Sequence, residues 1–319
     1  DLVLSRGLGD VYKRQDSNVL VEAFKVGEYD FRREYNVKRW LSEYDFKAVQ
    51  NGEVILTEMN NDRPVGMNGL VMNTRRDIFN NRNVRLALSY AYDHEWINKT
   101  IYQNAYVRTD SYFDNSPLAS SGLPSKNELE LLNVWKDEIP AEVFTETFTP
   151  PITDGSGNDR KNLLKAKEIL EKEGWFVEDG KLVKDGKEFK FEFLIVSPSD
   201  EKIALAYQSN LKKLGITMDV RTVDSSQYQE RLLSYDFDMI KRYWGVSLSP
   251  GNEQQFYWGS EVGQKDGSRN YPGINSPAVD ALIEKLISAT NREELTTAIH
   301  ALDRVCLLYT SPSPRDRTR

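Results

Sequence analysis

The chain has 319 residues, of which 39% are hydrophobic, 29% charged and 11% aromatic, with a formal charge of −7 and one Cys. That balance excludes collagen, a coiled coil and a disordered acidic tail, and it lacks the basic field that nucleic-acid binding needs. No apolar run approaches the ~18 residues of a membrane span; one Cys makes neither an internal disulfide nor a thiolate zinc site, and His94 and His300 alone leave little for a metal or His-based hydrolytic centre.

In chain order, the first segment is foreign in character. SRGLGDVYKRQ (5–15) and CLLYTSPSPR (306–315) translate the two opposite strands of one short DNA element, which resembles the adapter of transposase-based sequencing libraries. Residues 1–15 and 306–319 are therefore expected to be adapter and stay out of fold reasoning. The glycines of the first segment fit neither GxxxxGKS/T nor GxGxxG. Without these ends the chain loses six basic and three acidic residues and its only Cys, and the charge moves from −7 to −10. An acidic, Cys-free chain suits an oxidising compartment.

From Asp16 onward, NVLVEAFKVG predicts a short helix ending at Gly27, followed by a strand carrying Asp30 to Arg33. VILTEMNNDRPVGMNGLVMNT predicts strand-like runs around a turn at residues 60–64. Val84, Leu86, Leu88, Tyr90 and Ala91 form one broad apolar face at helical spacing. Residues 103–158 are long, aromatic and rich in Pro and Ser, an extended excursion with helical turns around 126–135. A helix with Leu163, Ala166, Ile169 and Leu170 on one stripe then ends at Gly174. Phe189, Phe191, Phe193 and Ile195 share one strand face. Ile203, Tyr207, Leu211 and Leu214 mark a second helix stopped by Gly215, and Ile216, Met218 and Val220 begin the next strand. Asp224 caps a third helix, with Gln227 and the Val223–Tyr228 staple in support. A last strand runs through Phe237, Met239 and Ile240 to Trp244. This β-α-β-α-β order predicts an α/β fold on a parallel or mixed sheet. Beyond it lie a polar, aromatic stretch, a turn-rich loop, and two helices carrying Val279, Leu282, Ile283 and Leu286, then Leu295, Ile299 and Leu302.

Motifs for nucleophilic or metal catalysis are missing: GxSxG, HExxH, SxxK and CxxC do not occur. DGSGND (154–159) has Asp159 where an EF-hand needs Gly, and reads as a turn. Asp236 and Asp238 lie on one side of a strand start, where close solvent-facing charges are commoner than a catalytic pair. Lys241, Arg242, Arg32 and Arg33 could meet anionic groups, with surface pairing as the default. Tyr243, Trp244, Phe256, Tyr257 and Trp258 suit a pocket wall for ligands of mixed polarity, and equally an ordinary core.

Several segments together resemble one family, the extracellular solute-binding proteins of family 5. They are NVRLALSYAYD (83–93), LLKAKEILEKEGW (163–175), YDFDMIKRYWG (235–245) and NSPAVDALIEKL (275–286). Within it, DFRREYN, GLVMNTRR, RTDSYFDNSPLASSGLPS, VFTETFTPPITDGSGN and WGVSLSPGNEQQFYWGSE resemble the YejA-like oligopeptide-binding proteins. The resemblance implies a two-lobed, type II (cluster C) periplasmic binding protein that closes like a hinged clamp. It also implies truncation: residues 16–66 end a first pass through a partial lobe I, 67–245 form a complete lobe II, and 246–305 begin the return. Hinge strands are expected at 67–73 and 243–249. By position, Trp244, Gly245 and Val246 fall on the peptide-pairing wall, Ser247 stands where relatives carry the carboxylate for a free α-amino group, and Leu248 beside it is a further ligand-binding candidate. Blocked or modified peptides thereby become reasonable cargo. Arg32, Arg33, Asn36, Asn252, Glu253 and Gln254 are further pocket candidates.

The implied protein is a non-enzymatic periplasmic receptor, monomeric at full length and with no cofactor. It would pass oligopeptides to an inner-membrane ABC permease and its ATPase. The alternatives are the same fold with oligosaccharide, opine or metal-complex cargo, or a hydrolase acting through Asp236, Asp238 or Glu253. Truncation would leave edge strands and an apolar patch bare, with Trp244 and Trp258 open to solvent.

Overall fold

The alternation in FKFEFLI places Phe189, Phe191, Phe193 and Ile195 on one face, and all four are buried in a computed structural model that describes residues 17–34, 36–59, 64–308, 311–312 and 317–318. The adapter-like segment 1–15 and the turn at 60–63 lie outside the described residues. The chain forms two compact units, residues 1–61 and 62–319.

In the first unit, α1 (Ser17–Lys25), α2 (Val37–Glu43) and α3 (Lys47–Gln50) surround Val21, Phe24 and Tyr44. Gly27, at φ +76°, lets the chain leave α1 as predicted. The expected strand at residues 30–33 is not formed. Arg32 is drawn instead into a knot, donating to Tyr44 Oη (2.9 Å), Tyr29 Oη (3.1 Å) and Glu34 Oε2 (3.1 Å). Residues 54–59 also have no partner strand among the described residues.

The second unit opens with β1 (Met67–Met72), α4 (Asp77–Asn80), α5 (Arg82–Tyr90) and α6 (His94–Ile101). The apolar face at 84–91 lies on α5, and a separate helix follows it because the Asp93 side chain accepts from Trp96 N (2.9 Å) and caps a new start. The excursion contains β2 (Tyr106–Val107), α7 (Lys126–Leu132) with a 3₁₀ turn at Asn133–Trp135, and α8 (Glu142–Thr145). It ends at DGSGND, a turn in which Asp159 accepts from Asp154 N and caps the following helix. That helix is α9 (Arg160–Lys172).

A three-stranded antiparallel sheet, β3 (Phe176–Glu178), β4 (Lys181–Lys184) and β5 (Lys187–Glu188), follows, an element beyond the helix and strand pattern expected here. Its signal is two Asp-Gly pairs, Asp179-Gly180 and Asp185-Gly186, all four residues at positive φ as two-residue hairpins require. Then come β6 (Lys190–Ile195), α10 (Pro198–Lys213), β7 (Thr217–Thr222), α11 (Ser225–Leu233) and β8 (Met239–Trp244). α12 (Glu253–Trp258), α13 (Ser260–Gly263), α14 (Pro277–Ile287), α15 (Arg292–Cys306), β9 (Ser311–Pro312) and β10 (Arg317–Thr318) complete it. The apolar stripe of α15 runs through Val305 into Cys306 and Leu307, all buried.

The main sheet has the order β7-β6-β8-β1-β9. β6 pairs in parallel with β7 and β8, as the β-α-β-α-β pattern predicts, while β1 runs antiparallel to β8 and β9. Both faces are covered. Leu70, Met72, Phe191, Phe193 and Met239 pack against α5 and α10 on one side; Met67, Val71, Leu194, Ile240 and Trp244 meet α14 and α15 residues on the other. Double burial explains why Leu194 and Ile240 are as hidden as their neighbours.

Candidate functional site

The two stretches expected as hinge crossings lie side by side. β1 and β8 pair over their full length, from Met72 opposite Met239 to Met67 opposite Trp244. The second differs from expectation, since regular strand ends at Trp244 and residues 245–249 continue without it. Gly66 makes the junction possible. At φ +73°, a Cβ there would sit 2.1 Å from the Trp244 carbonyl oxygen. Tyr243 Oη donates to the Val65 carbonyl, closing the same corner.

At this corner the aromatic residues gather. Trp244 stacks on Trp258 (centroids 5.3 Å, 25°), and Tyr112 lies edge-on to both, 5.5 Å from Trp244 and 4.6 Å from Trp258. Both tryptophans are only 2% exposed, contrary to the expectation that truncation bares them. Tyr112 and helices α12, α14 and α15 supply cover from within the unit. Trp258 Nε1 donates to Gln254 Oε1 (3.0 Å), while Trp244 Nε1 is buried without a partner. Tyr243 (57% exposed), Leu248 (44%) and Phe256 stay open at the rim. Burial, with Tyr257 beside it, raises the Tyr243 phenol above its ordinary pKa.

The predicted residues separate into distinct roles. Gly245 and Ser247 are exposed and Val246 leans on the core. Past Trp244 this segment has no strand opposite it among the described residues. Ser247 Oγ accepts from Ser249 N (3.2 Å), and the Leu248 carbonyl accepts from Arg292. Asn252 and Glu253 are exposed at the start of α12, where the Glu253 carboxylate takes the Gly251 N–H (3.0 Å). Gln254 is buried and holds Trp258, so it shapes the wall from behind. In the first unit, Asn36 caps α2 by accepting from Arg39 N (3.2 Å), Arg32 is committed to the Glu34–Tyr44 knot, and Arg33 is exposed.

The carboxylates of the hydrolase alternative do not form a cluster. Asp236 and Asp238 sit before β8, ion-paired with Arg76 at 3.0 and 3.1 Å, and Glu253 lies beyond the strand's other end. Lys241 pairs with Asp200 and Arg242 with the Tyr271 hydroxyl (3.2 Å). Among the described residues no group of three or more His, Cys, Asp or Glu is placed to hold a metal ion, and no helix is long and apolar enough to cross a membrane. A cavity of about 520 Å³ opens elsewhere in the second unit, lined by Arg75, Arg82 and Arg85. Their guanidinium groups are already donating, Arg75 to the Gly263 and Asn270 carbonyls, Arg85 to those of Phe79 and Asn80, and Arg82 to Glu142.

A mixed sheet flanked by helices, with an aromatic corner at the end of the β1–β8 pair, is the architecture of a type II solute-binding protein. The solved oligopeptide-binding protein AppA from Bacillus subtilis, in complex with a nonapeptide, has this fold: TM-score 0.67 at 20% identity, covering 94% of this chain and 53% of that one. Residues 11–266 match the bacterial extracellular solute-binding proteins, family 5 middle region, and the chain belongs to that family. It is 44% identical over 296 residues to the probable peptide-binding protein YejA of Agrobacterium fabrum, covering 92% of this chain and 48% of that protein. It is 40% identical over 295 residues to the peptidoglycan-binding protein YepA of the same organism, covering 90% and 48%. The chain thus spans about half the length of the curated relatives it matches. YejA-like, it belongs to a class of extracellular solute-binding proteins.

Proposed function

We propose that this chain is part of the periplasmic substrate-binding component of an ABC peptide importer. The complete protein would bind oligopeptides between its lobes and deliver them to an inner-membrane permease and its ATPase. One observation carries the reading: β8 ends at Trp244, and the Gly245–Val246–Ser247 segment, exposed at Gly245 and Ser247, continues past the aromatic corner with no strand opposite it among the described residues. An extended peptide can add there through main-chain hydrogen bonds, which accept many side-chain sequences. Leu248, Tyr243 and Phe256 supply half-open apolar surface around it. Asn252 and Glu253, exposed at the start of α12, remain candidates for polar contacts with such a peptide, and Arg33 in the first unit remains a separate candidate.

Ser247 sharpens the cargo. A hydroxyl cannot balance a free α-ammonium group as a carboxylate does, so the site favours peptides whose N-terminus is blocked. The relative named as peptidoglycan-binding supports a second reading of the same site, because the stem peptide of peptidoglycan is joined through its N-terminus to a sugar. Calorimetry on the full-length protein tests both. N-acetylated peptides should bind at least as tightly as free ones, and Ser247→Asp should shift the preference toward free peptides by about tenfold. A stem peptide that binds only with its sugar attached would select the second reading. Binding of a sugar or metal chelate with no peptide binding, or peptide hydrolysis, would overturn the proposal.

A further inference from the structure

Asp303 lies on α15 within an apolar stripe, 1% exposed, where a carboxylate is costly unless its oxygens are bonded. The four hydrogen bonds to its carboxylate come from one loop almost two hundred residues earlier. Ser111 Oγ (2.7 Å), Ser120 Oγ (2.7 Å) and Ser120 N (3.1 Å) donate to Oδ2, and Tyr112 N (2.8 Å) donates to Oδ1. Tyr112 is the residue whose ring packs edge-on against Trp244 and Trp258. Next to Asp303, Arg304 holds the same loop further along, through the Ser121 and Gly122 carbonyls and Glu128. That second knot touches none of the rings.

We infer that Asp303 is a positioning residue for the aromatic wall: its carboxylate fixes the Tyr112 backbone so that the ring sets the Trp244–Trp258 stack. The inference rests on the reading of Trp244 as part of the ligand wall. Two rigid backbone donors sit on different oxygens, so both acceptors are needed. A hydroxyl can rotate, whereas a backbone N–H cannot. Asparagine keeps one acceptor and turns an NH₂ toward the other donor, which releases either Tyr112 or Ser120.

The test compares Asp303→Asn with Arg304→Gln in the full chain, and repeats both in the full-length protein. Far-ultraviolet circular dichroism reports the fold, near-ultraviolet circular dichroism and Trp emission report the ring stack, and calorimetry reports peptide affinity. Asp303→Asn should change the near-ultraviolet and emission spectra of a folded protein and weaken peptide binding by about tenfold. Arg304→Gln should lower the melting temperature and leave both spectra as they are. The double variant Ser111→Ala, Ser120→Ala keeps both N–H bonds and should give a smaller spectral change, which serves if Asp303→Asn does not fold. Melting temperatures lowered by Asp303→Asn and Arg304→Gln, with the ring spectra untouched in every folded variant, would overturn the inference. Altered spectra with unchanged peptide affinity would uphold the positioning role and overturn the ligand-wall reading instead.

Discussion

Trp244 and Trp258 share one stack and the same depth of burial, yet only one of them has a bonded indole N–H. Phenylalanine removes similar ring area from each. At position 258 it also strands the buried Gln254 oxygen, whereas at 244 it removes a donor that had no partner. Trp258→Phe should therefore cost about 1–3 kcal/mol more than Trp244→Phe in urea denaturation; equal costs would contradict the bond accounting. Gly66→Ala should be worse than an ordinary surface change, because the added Cβ meets the Trp244 carbonyl in a positive-φ backbone. A loss of at least ~1–3 kcal/mol is expected, measured the same way. The residues of this corner were legible in part. Trp244 and Trp258 announced themselves as an aromatic cluster, but Tyr112 sat in an aperiodic stretch with nothing local to mark it.

At the scale of elements, α7 and α15 are tied by a charged latch. Ser125 and Glu128 form a capping box at the start of α7, so Glu128 was placed by local sequence. Its meeting with Arg304 (2.6 Å) and His300 (3.6 Å) was not. Burial works against the Glu128 charge, but hydrogen bonds from His300 and Arg304 outweigh it and hold the carboxyl down to about 2. For His300, burial lowers the pKa, and its bonds to Glu128 and the Pro117 carbonyl, with Asp303 nearby, outweigh that and raise it. The signs give opposite limbs. Glu128 contributes fully above its ordinary value of 4.5 and loses that contribution as pH falls toward about 2. His300 contributes fully below its ordinary value of 6.5 and loses it as pH rises through the higher folded value. The latch is thus strongest between about pH 4.5 and 6.5. In a series of melting curves, His300→Gln should flatten the high-pH limb, and Glu128→Gln should flatten the low-pH limb and lower stability throughout. Unchanged limbs would show that the latch adds nothing.

The whole chain divides unevenly, and the division predicts what folds alone. Residues from 62 onward contain a sheet with a core on each face. Residues 17–59 bury only a few side chains around Phe24 and Tyr44, too few for a piece of this length. Expressed separately, the larger piece should melt in one cooperative transition and the smaller should give the far-ultraviolet spectrum of an unfolded peptide. A cooperative melt for the smaller piece would contradict this.

The sequence by itself determined the β-α-β-α-β core, the stripes of the last two helices, the caps and the family, because periodicity, capping and motif order are properties of near neighbours in the chain. Only the tertiary structure decided that β1 and β8 pair, that both tryptophans are covered, and that Asp303 reaches Tyr112. Each of these joins groups far apart in sequence, and which distant groups meet is set by the packing of whole elements rather than by any local preference.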